Sequence, residues 1–279
     1  GKGAVVVTGA ATGIGAACAL HLDGLGYAVF AGVRRAEDGA RLRERASARL
    51  VPVVLDITDA ASIAAAAEEI ARAVGDAGLR GLVNNAGIAV AGPQEFLPIA
   101  ELRRQLEVNV VGQLAVTQAL LPLIRRGHGR IVNIGSISGK IAGPMVGAYA
   151  ASKFAMEALT DSLRRELRPW GIPVAIIEPG VTATSIWQKS LAAGDDLAAD
   201  LPPQAMTLYG PAIAGARRMA RHNAKGGGTP PEAVARAVAH ALTARRPRLR
   251  YPTGRDARLG SLLAWLVPDR VKDRLLSRG

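Results

Sequence analysis

Tyr149 and Lys153 stand four residues apart in a stretch, 148–167, whose pattern reads as helix, so their side chains fall on one face. That spacing can do acid–base chemistry. A phenol with a pKa of ~10 must come down toward ~7 to exchange protons at neutral pH, a cost of about 4 kcal/mol. One ammonium at ~4 Å in an effective dielectric of ~20 offsets roughly that much. Ser136 closes an apolar run over 130–135 and is placed to hydrogen-bond a substrate oxygen. A proton donor, its cation and an oxygen-binding hydroxyl suit the interconversion of a hydroxyl and a carbonyl, which needs a hydride besides the proton. Each residue alone has an ordinary reading, as a tyrosine at a helix start, a surface lysine and a serine capping a turn. Only the set of three points to chemistry.

A carrier for that hydride has a candidate seat. Thr8-Gly9-Ala10-Ala11-Thr12-Gly13-Ile14-Gly15 follows the first apolar run and opens the first helix, with glycines where a tight turn and a close backbone approach are needed. The helix N-terminus then turns N–H groups toward a pyrophosphate. The spacing is not the common G-x-G-x-x-G, and a glycine turn by itself is also an ordinary strand-to-helix connection. After the second strand, where an acidic residue would bind an adenosine ribose diol, the chain has Val33, Arg34 and Arg35. A guanidinium there can pair with a 2′-phosphate, so NADP(H) is favoured and NAD(H) stays open. The bland reading is a solvated basic turn.

The elements that must hold these residues alternate along the chain. Short β-branched or apolar runs recur at 4–8, 28–33, 51–55, 81–84, 130–135 and 173–178, with an edge strand at 249–251. Helix patterns lie between them at 16–25, 62–74, 101–126 and 150–168. This predicts an α/β fold: one Rossmann-type domain over 1–279, a doubly wound parallel sheet of about seven strands with helices on both faces. Its ligands would sit beyond the carboxyl ends of the strands. The alternation breaks after Val181, and 183–229 reads as a partly helical substrate lid carrying Ile186, Trp187, Leu191, Leu201, Met206, Leu208 and Tyr209. Thr229-Pro230-Pro231-Glu232 reads as a helix start with Thr229 as cap, opening a basic C-terminal extension, 230–279. Within it, 259–267 forms a short apolar helix interrupted by Pro268.

Composition bounds the remaining classes. The formal charge of +12 comes largely from the tail, where Arg245, Arg246, Arg248, Arg250, Arg255 and Arg258 outnumber the nearby acids. No nucleic-acid motif or interleaved aromatic accompanies them, so a solvated surface is expected rather than a nucleic-acid partner. The single cysteine, Cys18, reads as a buried thiol in a reducing compartment, and a cytoplasmic location is expected. No apolar run of ~18 residues suggests a membrane span. His21, His128, His222 and His240 are isolated, so no metal is expected, and no G-x-S-x-G turn supports a serine hydrolase.

Taken together, Thr8 to Gly15, Asn84-Asn85-Ala86-Gly87, Asn109, Ser136, the Tyr149/Lys153 pair and Pro179-Gly180-Val181-Thr182 resemble the short-chain dehydrogenase/reductase family, over roughly residues 3–185. Ser136 and Tyr149 stand thirteen apart, as is usual there. The resemblance implies an Asn109-Ser136-Tyr149-Lys153 tetrad, with Asn109 holding a water that links Lys153 to a proton relay. It implies a cofactor contacted by Gly9, Thr12, Gly13, Ile14, Gly15, Arg34 and Arg35. Asp56 and Ile57 would face its adenine, Asn85, Ala86 and Gly87 would floor the adenosine ribose, and Pro179, Gly180, Val181 and Thr182 would close over the nicotinamide beside Tyr149 and Lys153. Arg34 matches the basic residue of NADP-preferring members, whereas Thr12 replaces a second basic residue that some carry. The run from Tyr27 to Arg34 and the long C-terminal part look most like the retinol and hydroxysteroid dehydrogenase branch. That implies a carbonyl reductase or alcohol dehydrogenase for a lipophilic small molecule, and a homodimer or homotetramer. The rival reading is a non-catalytic NADP(H)-binding sensor or scaffold, which would need the glycine turn but no proton relay.

Overall fold

The computed structural model describes residues 2–184, 201–224 and 228–276. Seven strands, β1 (Ala4–Val7), β2 (Ala28–Val33), β3 (Leu50–Val54), β4 (Leu79–Asn84), β5 (Arg130–Ile134), β6 (Val174–Pro179) and β7 (Arg250–Thr253), form one parallel sheet in the order β3-β2-β1-β4-β5-β6-β7. β1 pairs with β2 through Val5 and Val29 and with β4 through Val7 and Val83. Strand order therefore reverses at β1, and the crevice beyond the carboxyl ends of β1 and β4 is where such sheets take ligands.

Both faces of the sheet are covered, which is why its strands read as unbroken apolar runs rather than alternating ones. On one face Val5, Val7, Val29, Val132 and Ile177 pack with Leu22 of α1 (Gly13–Gly24) and Val238 of α8 (Pro231–Thr243). On the other, Val6, Phe30, Leu82 and Ile131 meet Ile70 of α3 (Ala60–Val74) and Val116, Leu120 and Ile124 of α5 (Gly112–Arg126). With only 4% aromatic residues, the core is built from small aliphatics that let these helices approach the sheet closely. Cys18 is buried on α1, and burial pushes its thiol up to about 12, so it is an inert core residue as expected.

Several local readings need correction. The run expected at 101–126 starts at Ile99 and is not uniform: α4 (Ile99–Leu106) passes into α5 through a π-helical turn, Glu107–Val111. The whole stretch is long and apolar enough by composition to cross a membrane. In this fold Val116, Leu120, Leu123 and Ile124 are buried against the sheet. A short helix, α2 (Ala36–Arg43), follows β2 where none was expected, because only Gly39 and Leu42 are buried and its apolar signal is faint. Thr229 is not the cap of α8; Pro230 occupies that position, and no side chain caps the helix. Thr229 instead uses its backbone, donating to Val181 and accepting from Ala183 in a one-residue parallel bridge to Thr182.

Among the described residues of the expected lid, Pro203–Ala224 form one long helix, α7. Tyr209 on it donates to Glu95 at 2.7 Å and meets the Phe96 ring edge-on. Met206 and Leu208 are exposed, while Ile186, Trp187 and Leu191 lie outside the described residues. At the C-terminus, α9 (Arg255–Leu266) and α10 (Asp269–Leu276) are separated at Pro268, as the sequence suggested.

Candidate active site

The glycine turn is braced from the neighbouring strand. Thr8, at the end of β1, accepts at Oγ1 from the backbone N–H groups of Asn85 (2.9 Å) and Ala86 (3.0 Å). Asn85 returns its amide to the carbonyls of Thr8 (2.9 Å) and Gly9 (3.1 Å). Thus the Asn85 side chain faces the turn and is engaged by it, and what remains of the expected ribose floor is backbone at 85–87. Gly9 and Gly13 sit at φ +62° and +58°, where side chains are strained. A Cβ on Gly9 would lie 2.8 Å from Ala86 Cα, and one on Gly15 only 2.2 Å from the Gly9 carbonyl oxygen. No acidic residue occupies the first turn of α1. A glycine cradle at a helix N-terminus free of carboxylates fits a dinucleotide pyrophosphate.

Next along the crevice, Ser136 caps a one-turn helix (Ile137–Gly139), accepting from Ser138 N–H at 3.1 Å. Its hydroxyl acts on the phenol of Tyr149, which α6 (Gly147–Leu167) brings in from the next element. Lys153, one turn on, is buried and donates to the Ile134 carbonyl at 2.8 Å, with Nζ 5.7 Å from the Tyr149 ring centre. Burial holds the Tyr149 phenol above its ordinary value, and the nearby Ser136 hydroxyl draws it only partly back. Burial also lowers Lys153 to about 8. Burial thus works against the bias toward phenolate that the spacing of Lys153 and Tyr149 suggests. Desolvation is the larger influence on the phenol and opposes its ionisation.

Asn109 joins the group through its neighbours. The π-helical turn buries it completely. Its amide donates to Ile88 O (3.0 Å) and Ser152 Oγ (3.0 Å) and accepts from Ile88 N (2.9 Å). Ser152 in turn donates to the Tyr149 carbonyl at 2.6 Å. Both amide hydrogens of Asn109 are thus engaged in structure, and its Oδ1 accepts one bond.

Residues 3–194 match the short chain dehydrogenase family. The chain belongs to that family. It is 40% identical over 278 residues to retinol dehydrogenase 5 of Mus musculus, covering 98% of this chain and 87% of the relative. It is 38% identical to an NADPH-dependent 3-dehydrocapnine reductase of Ornithobacterium rhinotracheale, covering 97% and 94%. Among solved structures, a short chain dehydrogenase of Burkholderia cenocepacia in complex with NADP superposes with a TM-score of 0.75 at 26% identity, covering 98% of this chain and 97% of that one. This short chain dehydrogenase is therefore an oxidoreductase of CH–OH groups that uses a nicotinamide cofactor, similar to the retinol and hydroxysteroid branch.

The short chain dehydrogenase places its two arginines differently. Arg35 is drawn into the first turn of α2, its Nε 3.2 Å from Asp38. Arg34 is exposed beyond β2, close enough for its charge to act on Asp56. Asp56 is held below the ordinary carboxylate range chiefly by the hydroxyl and then the N–H of Thr58, at 2.7 and 2.9 Å, and only then by Arg34. Ile57 is buried against Gly112, where a Cβ would strike its carbonyl at 2.3 Å. A cleft of about 730 Å³ lies along α1 beside Thr12, Gly13, Arg45, Thr184 and Glu232. None of Ser136, Tyr149 or Lys153 lines it, so it is not the reaction site.

Sequence reasoning missed the polar pins of this site. Gln105 accepts from Val90 N–H (2.7 Å) and donates to Ile88 (2.9 Å), and Gln113 donates to Ala86 O. With Asn109 and Thr117 they form a buried polar stripe at four-residue spacing, on the face where a core helix should be apolar. That stripe is the signal that could have found them. The other missed residue is Asp256, whose carboxylate accepts from Val181 N–H at 2.6 Å and fills the space a Cβ on Gly180 would need. Asp256→Ala should free the 179–182 loop. A lost charge-assisted bond of about 1.5–3 kcal/mol corresponds to cofactor binding roughly 10–100-fold weaker. Equilibrium titration checks this, and unchanged binding would remove Asp256 from the site.

Proposed function

We propose that this protein reduces a lipophilic ketone or aldehyde with NADPH, and catalyses the reverse oxidation, with Tyr149 as the proton-transfer residue. The observation that carries the reading is the convergence of Ser136, Tyr149 and buried Lys153, its Nζ 5.7 Å from the Tyr149 ring centre, at the carboxyl ends of strands whose neighbouring turn fits a dinucleotide. Bound there, the nicotinamide supplies or accepts the hydride.

The residues then divide the work by their chemistry. Ser136 orients the substrate oxygen. Tyr149, kept protonated by burial, donates its proton to that oxygen as the carbon is reduced, so the resting site is poised for reduction. Lys153 is cationic below about 8 and stabilises the phenolate that results. Glycines 9, 13 and 15 and the α1 N-terminus would hold the pyrophosphate, residues 179–182 would cover the nicotinamide, and Arg34 would pair with a 2′-phosphate. The name of the Ornithobacterium relative supports NADPH. The mouse relative's name supports a lipophilic substrate, as does α9, whose exposed Leu259, Leu262 and Trp265 flank a contact of Gly260 with Ile137 in the Ser136 turn.

Arg34→Asp tests the cofactor assignment. It should weaken NADPH by about 100-fold or more while changing NADH severalfold at most, since a like-charge carboxylate replaces a charge-assisted pair. Equal effects on both cofactors would refute the phosphate contact. A nicotinamide carrying deuterium at the transferred position should deliver the label to the carbinol carbon of a ketone substrate, and failure of that transfer would refute the reaction.

A further inference from the structure

Behind the Ser136 turn lies a cluster of buried charge that the reaction as described does not use. Glu157, one turn beyond Lys153 on α6, and Glu178, the residue before Pro179 on β6, are both buried. Lys140, at the end of the Ser136 turn, places Nζ 2.7 Å from Glu157 and 3.5 Å from Glu178. Arg250 on β7 places Nε 3.2 Å from Glu157 and 3.4 Å from Glu178, and reaches Asp161 of α6 at 2.9 Å. Asp161 is shared with Arg164 and Arg165. Arg250 is thus an internal tie and not part of the solvated basic surface expected of the tail.

The cluster joins four elements that build the site. Lys140 belongs to the turn that presents Ser136, Glu157 to the helix that presents Tyr149 and Lys153, Glu178 to the strand that enters the 179–182 loop, and Arg250 to the strand whose Thr253 carbonyl accepts from Gly180 N–H. The turn and helix are already in close contact, since a Cβ on Gly139 would lie 2.9 Å from the Lys153 carbonyl oxygen. Small changes in their separation therefore change the Ser136-to-Tyr149 distance directly.

We propose that Glu157 and Glu178, bridged by Lys140 and Arg250, are positioning residues that lock the Ser136 turn and the 179–182 loop against the Tyr149 helix. The proposal rests on the functional reading above. One buried oxygen of each carboxylate, Glu157 Oε1 and Glu178 Oε1, has no hydrogen-bond partner, and a proton on the pair would supply one. Burial first, and then the Glu157 charge, raise Glu178 to about 7 against the pull of Lys140 and Arg250. Because the folded value is raised, the stabilising protonated pair is present below the ordinary carboxylate range and is lost as pH rises through about 7. Above that, two charged carboxylates compete for the same two cations and the lock loosens.

Lys140→Met removes the bridge from the turn without touching the reacting groups. It should lower kcat by about 10–100-fold, the cost of a misplacement on the order of 1 Å, with KM for cofactor within about twofold, and Lys140→Arg should restore most of kcat. Glu178→Gln mimics the protonated pair. In the full chain it should flatten both the rise of kcat below pH ~7 and the pH dependence of the thermal midpoint in that range, leaving the limb near 8 from Lys153 in place. If the wild type reduces no carbonyl, both readings fall. If it does, and Lys140→Met and Glu178→Gln match it at every pH, the positioning role alone is overturned.

Discussion

Tyr149→Phe should lower turnover by about 10³-fold or more, while NADPH binding stays within about threefold of the wild type. The substitution removes one oxygen from a half-buried side chain. Its loss leaves Ser136 still accepting from Ser138, and Lys153 still held on the Ile134 carbonyl. The neighbouring geometry therefore survives, and what disappears is the proton. Pre-steady-state mixing of variant, NADPH and ketone separates binding from chemistry: binding should be normal and hydride transfer absent. Turnover near the wild-type level would mean that another group donates the proton, and the roles assigned to Ser136 and Lys153 would fall with it.

Gly15→Ala should be as damaging, through binding and folding rather than chemistry. The new methyl would sit 2.2 Å from the Gly9 carbonyl oxygen and 2.5 Å from Asn85 Nδ2. Neither is the far end of a flexible side chain: one is backbone, the other the amide that braces Thr8 and Gly9. Relief requires moving the start of α1 away from β1, which costs about 1–3 kcal/mol of stability and displaces the N–H groups meant for the pyrophosphate. Cofactor binding should weaken by about 100-fold or more, alongside a thermal midpoint several degrees lower. Gly24→Ala on the same helix is the control. Nothing lies within 4 Å of its added methyl, so it should bind normally and gain up to about 1 kcal/mol of helix propensity. If Gly15→Ala behaves like Gly24→Ala, the turn is not a cofactor cradle.

Much of this fold and of its site is legible in the amino-acid sequence, and the reason is the parallel sheet itself. Strands such as Val5-Val6-Val7 are covered on both faces, so they carry an apolar run that needs no tertiary knowledge to find. Motifs at their carboxyl ends fall into one crevice by topology alone, which brings Gly9, Ser136, Tyr149 and Lys153 together. What escapes depends on contacts between distant segments. The π-helical turn at Asn109 exists because Ile88 and Ser152 satisfy its amide, and neither is near it in sequence. Asp256 and Arg250 look like ordinary tail charges until β7 carries one against Glu157 and Glu178 and α9 brings the other to Val181. Spacing also misjudges the ionisation of the site. Helical register puts Lys153 on the Tyr149 face, but burial, which no spacing reveals, holds the phenol protonated.

The most direct test follows NADPH consumption by the purified protein across steroid, retinoid and aliphatic ketones, after NADPH and NADH affinities have been fixed by fluorescence titration. NADPH should bind more tightly than NADH, and its oxidation should keep step with formation of the alcohol on at least one lipophilic ketone. NADPH binding without consumption on any carbonyl would contradict it and leave a cofactor-binding protein whose Ser136, Tyr149 and Lys153 do no chemistry.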